Sequence, residues 1–160
     1  MSPARGRRRL YEVTLDEATL PRVSADADHE RAVAIFDLVE ENEFGVLGRD
    51  DGPYSLVIAQ QEGKLVFTAR TEEGEAVAEF IVSMTPFRPL LKDYFLVCET
   101  YYAAIRTASP RQIEQIDRER TKLHNEGAEL MASRLADKVE IDSVTARRLF
   151  TLISALHWKS

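Results

Sequence analysis

Residues 85–127 read TPFRPLLKDYFLVCETYYAAIRTASPRQIEQIDRERTKLHNEG and predict two consecutive helices. Thr85-Pro86 and Ser109-Pro110 each place a helix-capping residue before a proline at the first helical position. Gln112 follows Ser109 by three residues, which is the spacing of a capping box. We therefore expect one helix to begin at each of these two sites, and both helices to lie in the C-terminal half of the chain.

Strand patterns precede these helices. The alternation of apolar and polar residues in Leu10–Leu15 predicts a half-buried strand. The runs YSLVIAQ (54–60) and KLVFTAR (64–70) flank Gln61-Glu62-Gly63 and predict a hairpin, and a third run follows at Ala76–Met84. We expect a small antiparallel sheet of three to four strands with one face covered by helices.

Two further helices complete the predicted architecture. One runs from about His29 to Phe44, is capped by Asp26 or Asp28, and ends at Gly45; its apolar face comprises Val33, Ile35, Phe36 and Val39. The last helix opens at Asp142, packs through Leu149, Leu152, Ile153 and Leu156, and has a polar face of Arg147, Thr151 and Ser154. The predicted fold class is α+β, with about four helices, three of them C-terminal.

Composition predicts a soluble protein. A chain of 160 residues with 44% hydrophobic content fits one globular domain, residues 10–160, after a flexible basic arm, residues 1–9. The single cysteine, Cys98, excludes an intramolecular disulfide and favours a reducing compartment, and no apolar run could serve as a signal peptide or a membrane span. We therefore predict a cytoplasmic location without membrane association.

The charge distribution narrows the possible partners. The formal net charge is −6, which makes broad nucleic-acid binding unfavourable because phosphate affinity depends on clustered cations. The arm containing Arg5, Arg7, Arg8 and Arg9 could still contact a phosphate, RNA or an acidic partner, but we favour its interpretation as a solvated terminus, since chain termini are usually loose.

Charged residues interrupt the apolar stripe of the helix that begins at Ser109. Arg120 falls near the centre of the stripe, and Asp117 and His124 follow at spacings of three and four residues, close enough to touch. A buried guanidinium needs a counter-charge, so Arg120 either pairs with Asp117 or Glu99 or binds an anion at a pocket wall. Structural pairing is the first interpretation and anion binding is the alternative.

The segment His124-Asn125-Glu126-Gly127 suggests acid/base or metal chemistry without specifying it. His124 and Glu126 point roughly 200° apart on a helix, so they cannot hold one ion unless the helix breaks at Gly127. Gly127 more readily indicates close packing with another helix. No local metal-ligand spacing is present, and the sequence indicates neither a metal site nor a cofactor.

A charged seam accompanies the first of these helices. It comprises Arg88, Lys92, Glu99 and Arg106, beside apolar residues. The seam could contribute to an anion pocket at the joint between helices, but it also fits the solvent-facing border of an amphipathic helix. Cys98 shares the apolar face and is interpreted as an inert core thiol.

Several short motifs resemble those of bacterial uncharacterised protein family 0262, over nearly the whole chain from Leu10 onward. They are HER (29–31), IFDL (35–38), EEN (40–42), GPY (52–54), TPFR (85–88), KDYF (92–95), TASP (107–110), LHNEG (123–127) and TARRLFT (145–151). The resemblance implies a bacterial cytoplasmic protein and brings no established activity, cofactor or site residue.

Three functions remain compatible with the sequence. The first is a non-enzymatic interaction or regulatory module that binds another protein, or a second copy of itself as a homodimer, through its C-terminal helical face. The second is a binder of small anions or phosphorylated ligands that uses Arg88, Arg106 and Arg120. The third is a hydrolase or isomerase with His124 as acid/base and Asp117 or Glu126 as its partner. We favour the first because no catalytic motif is present.

Overall fold

The computed structural model describes residues 6–157 and confirms the predicted α+β class. The strands are β1 (Leu10–Leu15), β2 (Phe44–Val46), β3 (Tyr54–Gln61), β4 (Lys64–Arg70), β5 (Ala76–Ser83) and β6 (Val139–Ile141). The helices are α1 (Ala25–Glu40), α2 (Arg88–Thr107), α3 (Pro110–Leu135) and α4 (Ser143–Leu156), and a 3-10 turn (Thr85–Phe87) precedes α2.

The main sheet has the strand order β1-β3-β4-β5. β3, β4 and β5 form the expected antiparallel meander, and the first hairpin turns at Glu62 and Gly63, which have φ angles of 50° and 77°. β1 pairs with β3 in parallel, which differs from the all-antiparallel sheet that we expected. A parallel pair needs a long connection, and α1 followed by β2 provides it.

A second sheet, which the sequence did not reveal, joins β2 to β6 across the chain. Phe44 and Gly45 belong to β2, so the prediction that they end the first helix was wrong. The helix ends at Glu40 because the Asn42 side chain then hydrogen-bonds to the carbonyl of Leu38 and to both backbone groups of Leu10, which turns the chain away.

α1 also differs from the prediction in its start and in its buried face. Ser24 caps the helix by accepting a hydrogen bond from the Ala27 amide, so neither Asp26 nor Asp28 is the cap. The buried residues are Ala27, Arg31, Ala34 and Leu38, whereas Val33 and Phe36 of the predicted apolar face are exposed. Small alanines allow α1 to lie close to α4, and this contact leaves the larger apolar side chains outside.

Arg31 is a buried residue whose role was not foreseen. Its guanidinium donates hydrogen bonds to the carbonyls of Leu20, Pro21 and Leu156. Leu156 is the last residue of α4, where a positive charge is favourable because of the helix dipole. Arg31 therefore fixes α1 to the C-terminal end of α4.

Of the three helix starts predicted in the C-terminal half of the chain, two were correct. Ser109 and Gln112 form the capping box of α3, and Asp142 caps α4 by accepting from the Thr145 amide. Thr85 was wrongly predicted as a side-chain cap, because its segment forms a 3-10 turn and α2 starts at Arg88 without a side-chain cap.

α4 lies in the centre of the core, packed against both α1 and α3. Its predicted core residues are all buried: Leu149, Leu152, Ile153 and Leu156. Ser154, which was predicted on the polar face, is buried as well, because its hydroxyl donates to the Phe150 carbonyl within the helix and needs no water.

Part of the basic N-terminal segment is anchored to the fold. Arg7 pairs with Asp50 at 3.1 Å, and Arg8 pairs with Glu140 at 3.4 Å. Residues 1–5 of the predicted flexible arm, Arg5 among them, lie outside the described residues, so the flexibility of the arm stays a prediction. Within residues 6–157, no helix combines the length and the apolar character needed to cross a membrane.

Candidate functional site: a groove between two helices

The charged seam of α2 lies at the surface. Arg88, Lys92, Glu99 and Arg106 are all exposed, and none forms an ion pair with another residue in the range 6–157. They do not line the cavity described below. The structure therefore does not bring these residues together with Arg120 in one enclosed pocket.

Arg120 is partly buried and already has two partners. One guanidinium nitrogen lies 2.5 Å from the Asp117 carboxylate, and the guanidinium carbon lies 4.1 Å from the centre of the Tyr101 ring. The predicted ion pair with Asp117 is therefore present, and the alternative partner Glu99 is not used. This pairing neutralises the charge that an anion would require.

His124 lies in a cluster of aromatic side chains. Its ring centre is 5.7 Å from that of Tyr94 and 5.4 Å from that of Phe150, and Tyr94 and Phe150 are themselves 5.6 Å apart. Glu126 is exposed and has no contact of this kind. The two residues therefore do not cooperate at one centre.

The hydrogen bonds of His124 define its tautomer. Nε2 lies 2.8 Å from the Thr151 hydroxyl, whose own proton is donated to the Arg147 carbonyl at 3.0 Å. The Thr151 oxygen therefore accepts a hydrogen bond from Nε2–H, which leaves Nδ1 unprotonated and without a partner among the described residues. Burial, together with the positive charges of Arg147 and Arg120, lowers the pKa of His124 to about 4. The imidazole is neutral at pH 7.

Gly127 explains how α3 approaches this cluster. A Cβ atom built at Gly127 would lie 2.3 Å from two ring atoms of Phe150, which is fully buried. The absence of a side chain allows the α3 backbone to lie directly against that ring. The interpretation of Gly127 as a close-packing residue is confirmed, and α3 continues through this position without a break.

A cavity lies elsewhere, between α1 and α2, with α4 as its floor. Its volume is about 320 Å³. α1 packs against α4 and α2 packs against α3, so the two helices form opposite walls of a groove. The lining residues on α1 extend from Asp26 to Asp37, which corresponds to about 16 Å along the helix axis.

The two walls differ in chemistry. The α1 wall carries three carboxylates, from Asp26, Glu30 and Asp37. The α2 wall carries three aromatic rings: Tyr94, Phe95 and Tyr102. Among residues 6–157, no lysine or arginine lines the cavity, although His29 and the polar groups of Thr151 and Ser154 do.

Cys98 and Tyr94 face the cavity as a neutral pair. The side chains of Tyr94 and Cys98 are hydrogen-bonded to each other, and burial raises the pKa of both groups. The thiol is therefore protonated at neutral pH, which removes the nucleophilic thiolate. This agrees with the interpretation of Cys98 as an inert thiol, although it lies at a cavity wall.

Large apolar side chains border the groove and remain in contact with solvent. Val33 lines it on α1, and Phe36, three residues further along, is 65% exposed. On α2, Tyr102 is 58% exposed, and Ile105 follows it by three residues at 50%. Residues at this spacing share one side of a helix, so the apolar surface continues along both walls.

The sequence did not reveal this groove. Asp26 is predicted only as a possible helix cap, and no site prediction includes Asp37. The sequence signal that could have indicated a binding surface on α1 is the cluster of Val33, Ile35, Phe36 and Val39. None of these four belongs to the buried residues of α1, and Val33 and Phe36 are exposed. Among the described residues, no group of three histidine, cysteine or acidic side chains is arranged to hold a metal ion.

Comparisons with known proteins place the chain in one group. The family model described as "Uncharacterised protein family (UPF0262)" matches residues 7–159. A UPF0262 protein of Hyphomonas neptunium is 57% identical over 95% of this chain and 94% of its own length, and one of Rhizobium etli is 54% identical over 98% and 99%. A UPF0262 protein of Azorhizobium caulinodans is 57% identical over 94% of each chain. No solved structure is significantly similar.

Proposed function

The chain belongs to the uncharacterised protein family UPF0262, and we propose that it is a non-enzymatic interaction module that binds a helical segment of another protein in the groove between α1 and α2. The carrying observation is the cavity of about 320 Å³, bordered on both walls by exposed apolar side chains. We further propose that the protein acts in the cytoplasm, where the free thiol of Cys98 would stay reduced.

The dimensions of the groove support a helical partner. A cavity of this volume accepts one or two side chains but not a whole helix, whereas the walls extend over about three helical turns. An amphipathic helix lying along the groove would place its anchor side chains in the cavity. Its remaining apolar residues would cover Phe36 and Tyr102, which are now exposed.

The geometry gives less support to the two other functions. An anion pocket would need Arg120 free, but it is paired with Asp117 and stacked on Tyr101. Acid/base catalysis would need His124 to be accessible with a pKa near neutrality, but burial among rings lowers that pKa to about 4. Binding in the groove requires neither the release of Arg120 from Asp117 nor the exposure of His124.

The test uses two exposed residues of α2 that lie on different sides of the helix. Tyr102 borders the groove and is 58% exposed, whereas Leu96 lies outside it and is 61% exposed. A library of 18-residue helical peptides is selected against the wild-type protein. The affinities of the enriched peptides are then measured by fluorescence anisotropy for wild type, Tyr102→Ala and Leu96→Ala.

We expect Tyr102→Ala to weaken binding about fivefold or more, because aromatic anchors at the centre of an interface commonly contribute over about 1 kcal/mol. Leu96→Ala should bind like wild type. Circular dichroism on all three proteins checks that the fold is retained. Enriched peptides that bind both variants equally well, or that lose affinity only with Leu96→Ala, would show that the groove is not the binding site.

A further inference from the structure

The charges of the groove indicate the chemistry of its partner. Carboxylates of α1 and aromatic rings of α2 line one cavity, and within residues 6–157 no lysine or arginine lines it to neutralise the carboxylates. Carboxylates attract a cation by charge, and aromatic rings attract it through the electron density of the ring face. The two walls therefore favour the same kind of ligand group.

We propose that the partner is a basic amphipathic helix that inserts a lysine or arginine side chain into the cavity, between the carboxylates of Glu30 and Asp37 and the ring of Tyr102. This inference rests on the proposed function, since it specifies the partner that the groove accepts. The inference requires the partner helix to carry a positive charge, whereas burial of apolar side chains alone would not require one.

The chain itself shows the contact that we expect. Beside the groove, at the residue before Tyr102, Arg120 of α3 places its guanidinium 4.1 Å from the Tyr101 ring centre and donates a hydrogen bond to the Asp117 carboxylate. A ring of α2 and a nearby carboxylate thus already hold one cation. In the cavity, Tyr102 and the α1 carboxylates offer the same pair of groups without an occupant from the described residues.

The apolar stem of lysine or arginine suits the rest of the lining. Val33, Ala34 and Phe95 contribute apolar surface to the same lining as the carboxylates. A long basic side chain can bury its methylene groups against such a surface and keep its charged end near acidic groups. A short or acidic anchor would leave this surface uncovered or would be repelled.

Three labelled 14-residue peptides test the requirement for charge. They share one stripe of leucines and differ only at the polar positions, which are all lysine, all glutamine or all glutamate. Binding is measured by anisotropy in about 150 mM salt, where the Debye length of about 8 Å suppresses attraction to distant charges. We expect the lysine peptide to bind about tenfold more tightly than the glutamine peptide, and the glutamate peptide to bind least.

Matched variants separate the groove from the overall charge of the protein. Glu30→Gln/Asp37→Asn removes two charges in the groove, and Glu79→Gln/Glu129→Gln removes two exposed charges outside it. The first pair should weaken the lysine peptide about three- to tenfold, in keeping with the strength of partly exposed ion pairs, and leave the glutamine peptide unchanged. The second pair should have little effect on either peptide.

The possible outcomes distinguish this inference from the proposed function. If lysine and glutamine peptides bind equally and both weaken with Tyr102→Ala, the groove remains a binding site but the cationic anchor is wrong. If no peptide responds to Tyr102→Ala, both proposals fail. Sedimentation that finds a dimer of the wild-type protein but a monomer of Tyr102→Ala would make a second copy of this chain the occupant, which also contradicts a basic partner.

Discussion

Gly127 offers a sharp test of how α3 and α4 are packed. Replacing Gly127 with alanine adds a Cβ that would lie 2.3 Å from two atoms of the Phe150 ring and 2.5 Å from a third. Ordinary carbon contacts need about 3.5 Å, so the ring or the helix must move by roughly 1 Å. Phe150 is fully buried among Phe87, Tyr94 and His124 and has little room to move.

Two opposing effects determine the size of the change. Alanine in place of glycine within a helix is favourable by about 1 kcal/mol, whereas overpacking a core costs about 1–3 kcal/mol. The tight contact and the full burial of Phe150 put the cost near the upper limit. We therefore expect Gly127→Ala to lower the free energy of unfolding by about 2 kcal/mol, which lowers the Tm by roughly 4–8 °C for a chain of this size.

Thermal and urea unfolding, followed by circular dichroism, measure this change. Asn125→Ala, at an exposed position of the same helix, serves as the control and should alter stability by less than about 0.5 kcal/mol. Combining Gly127→Ala with Phe150→Leu should restore part of the loss, because leucine lacks the ring atoms that clash. A stabilisation of about 1 kcal/mol by Gly127→Ala would refute the packing described here, since helix propensity alone would then determine the result.

Three other substitutions test separate parts of the structure. Arg31→Met should lower the free energy of unfolding, measured in urea, by about 2–4 kcal/mol, because the buried carbonyls of Leu20 and Leu156 lose their hydrogen-bond donor. Arg31→Lys should recover only part of this loss. An unchanged stability of Arg31→Met would contradict the role of Arg31 in fixing α1 to α4. The lowered pKa of His124 means that the unfolded state binds the proton more readily, so stability present above pH 6.5 is lost as the pH falls towards 4. After discounting for solvent screening, the loss is about 1–2 kcal/mol, and His124→Gln should remove it from the pH profile. Ser109→Ala should cost about 1 kcal/mol by calorimetry through loss of the capping box, whereas Ser133→Ala at an exposed site of α3 should cost less.

The features that were predictable from sequence depend on neighbouring residues. The hairpin between β3 and β4, the capping box at Ser109 and the cap at Asp142 are all encoded within a few positions. The parallel pairing of β1 was not predictable, because its partner is determined by the path of α1 and β2 through space. The pairing of β2 with β6 was not predictable either, because strands of three residues are too short to show a clear alternation of apolar and polar residues.

The candidate site was predicted only in part. Arg120, Asp117 and His124 were identified because charges interrupt an apolar stripe, and the ion pair of the first two is present. The groove was missed because its walls come from two helices that are distant in the sequence, one ending at Glu40 and the next beginning at Arg88. On α1, a buried arginine and small alanines form the core contact, and hydrophobic periodicity cannot indicate that a charged residue faces inward.

The most direct measurement of groove binding is a titration of ¹⁵N-labelled protein with the lysine peptide, followed by NMR chemical shifts. We predict that the shifts will cluster on Asp26–Asp37 of α1, on Phe95–Tyr102 of α2 and on Thr151–Ala155 of α4, and that Tyr102→Ala will reduce them. Shifts concentrated on the outer face of the sheet, or around Arg88, Lys92 and Arg106, would place binding elsewhere and contradict the proposal.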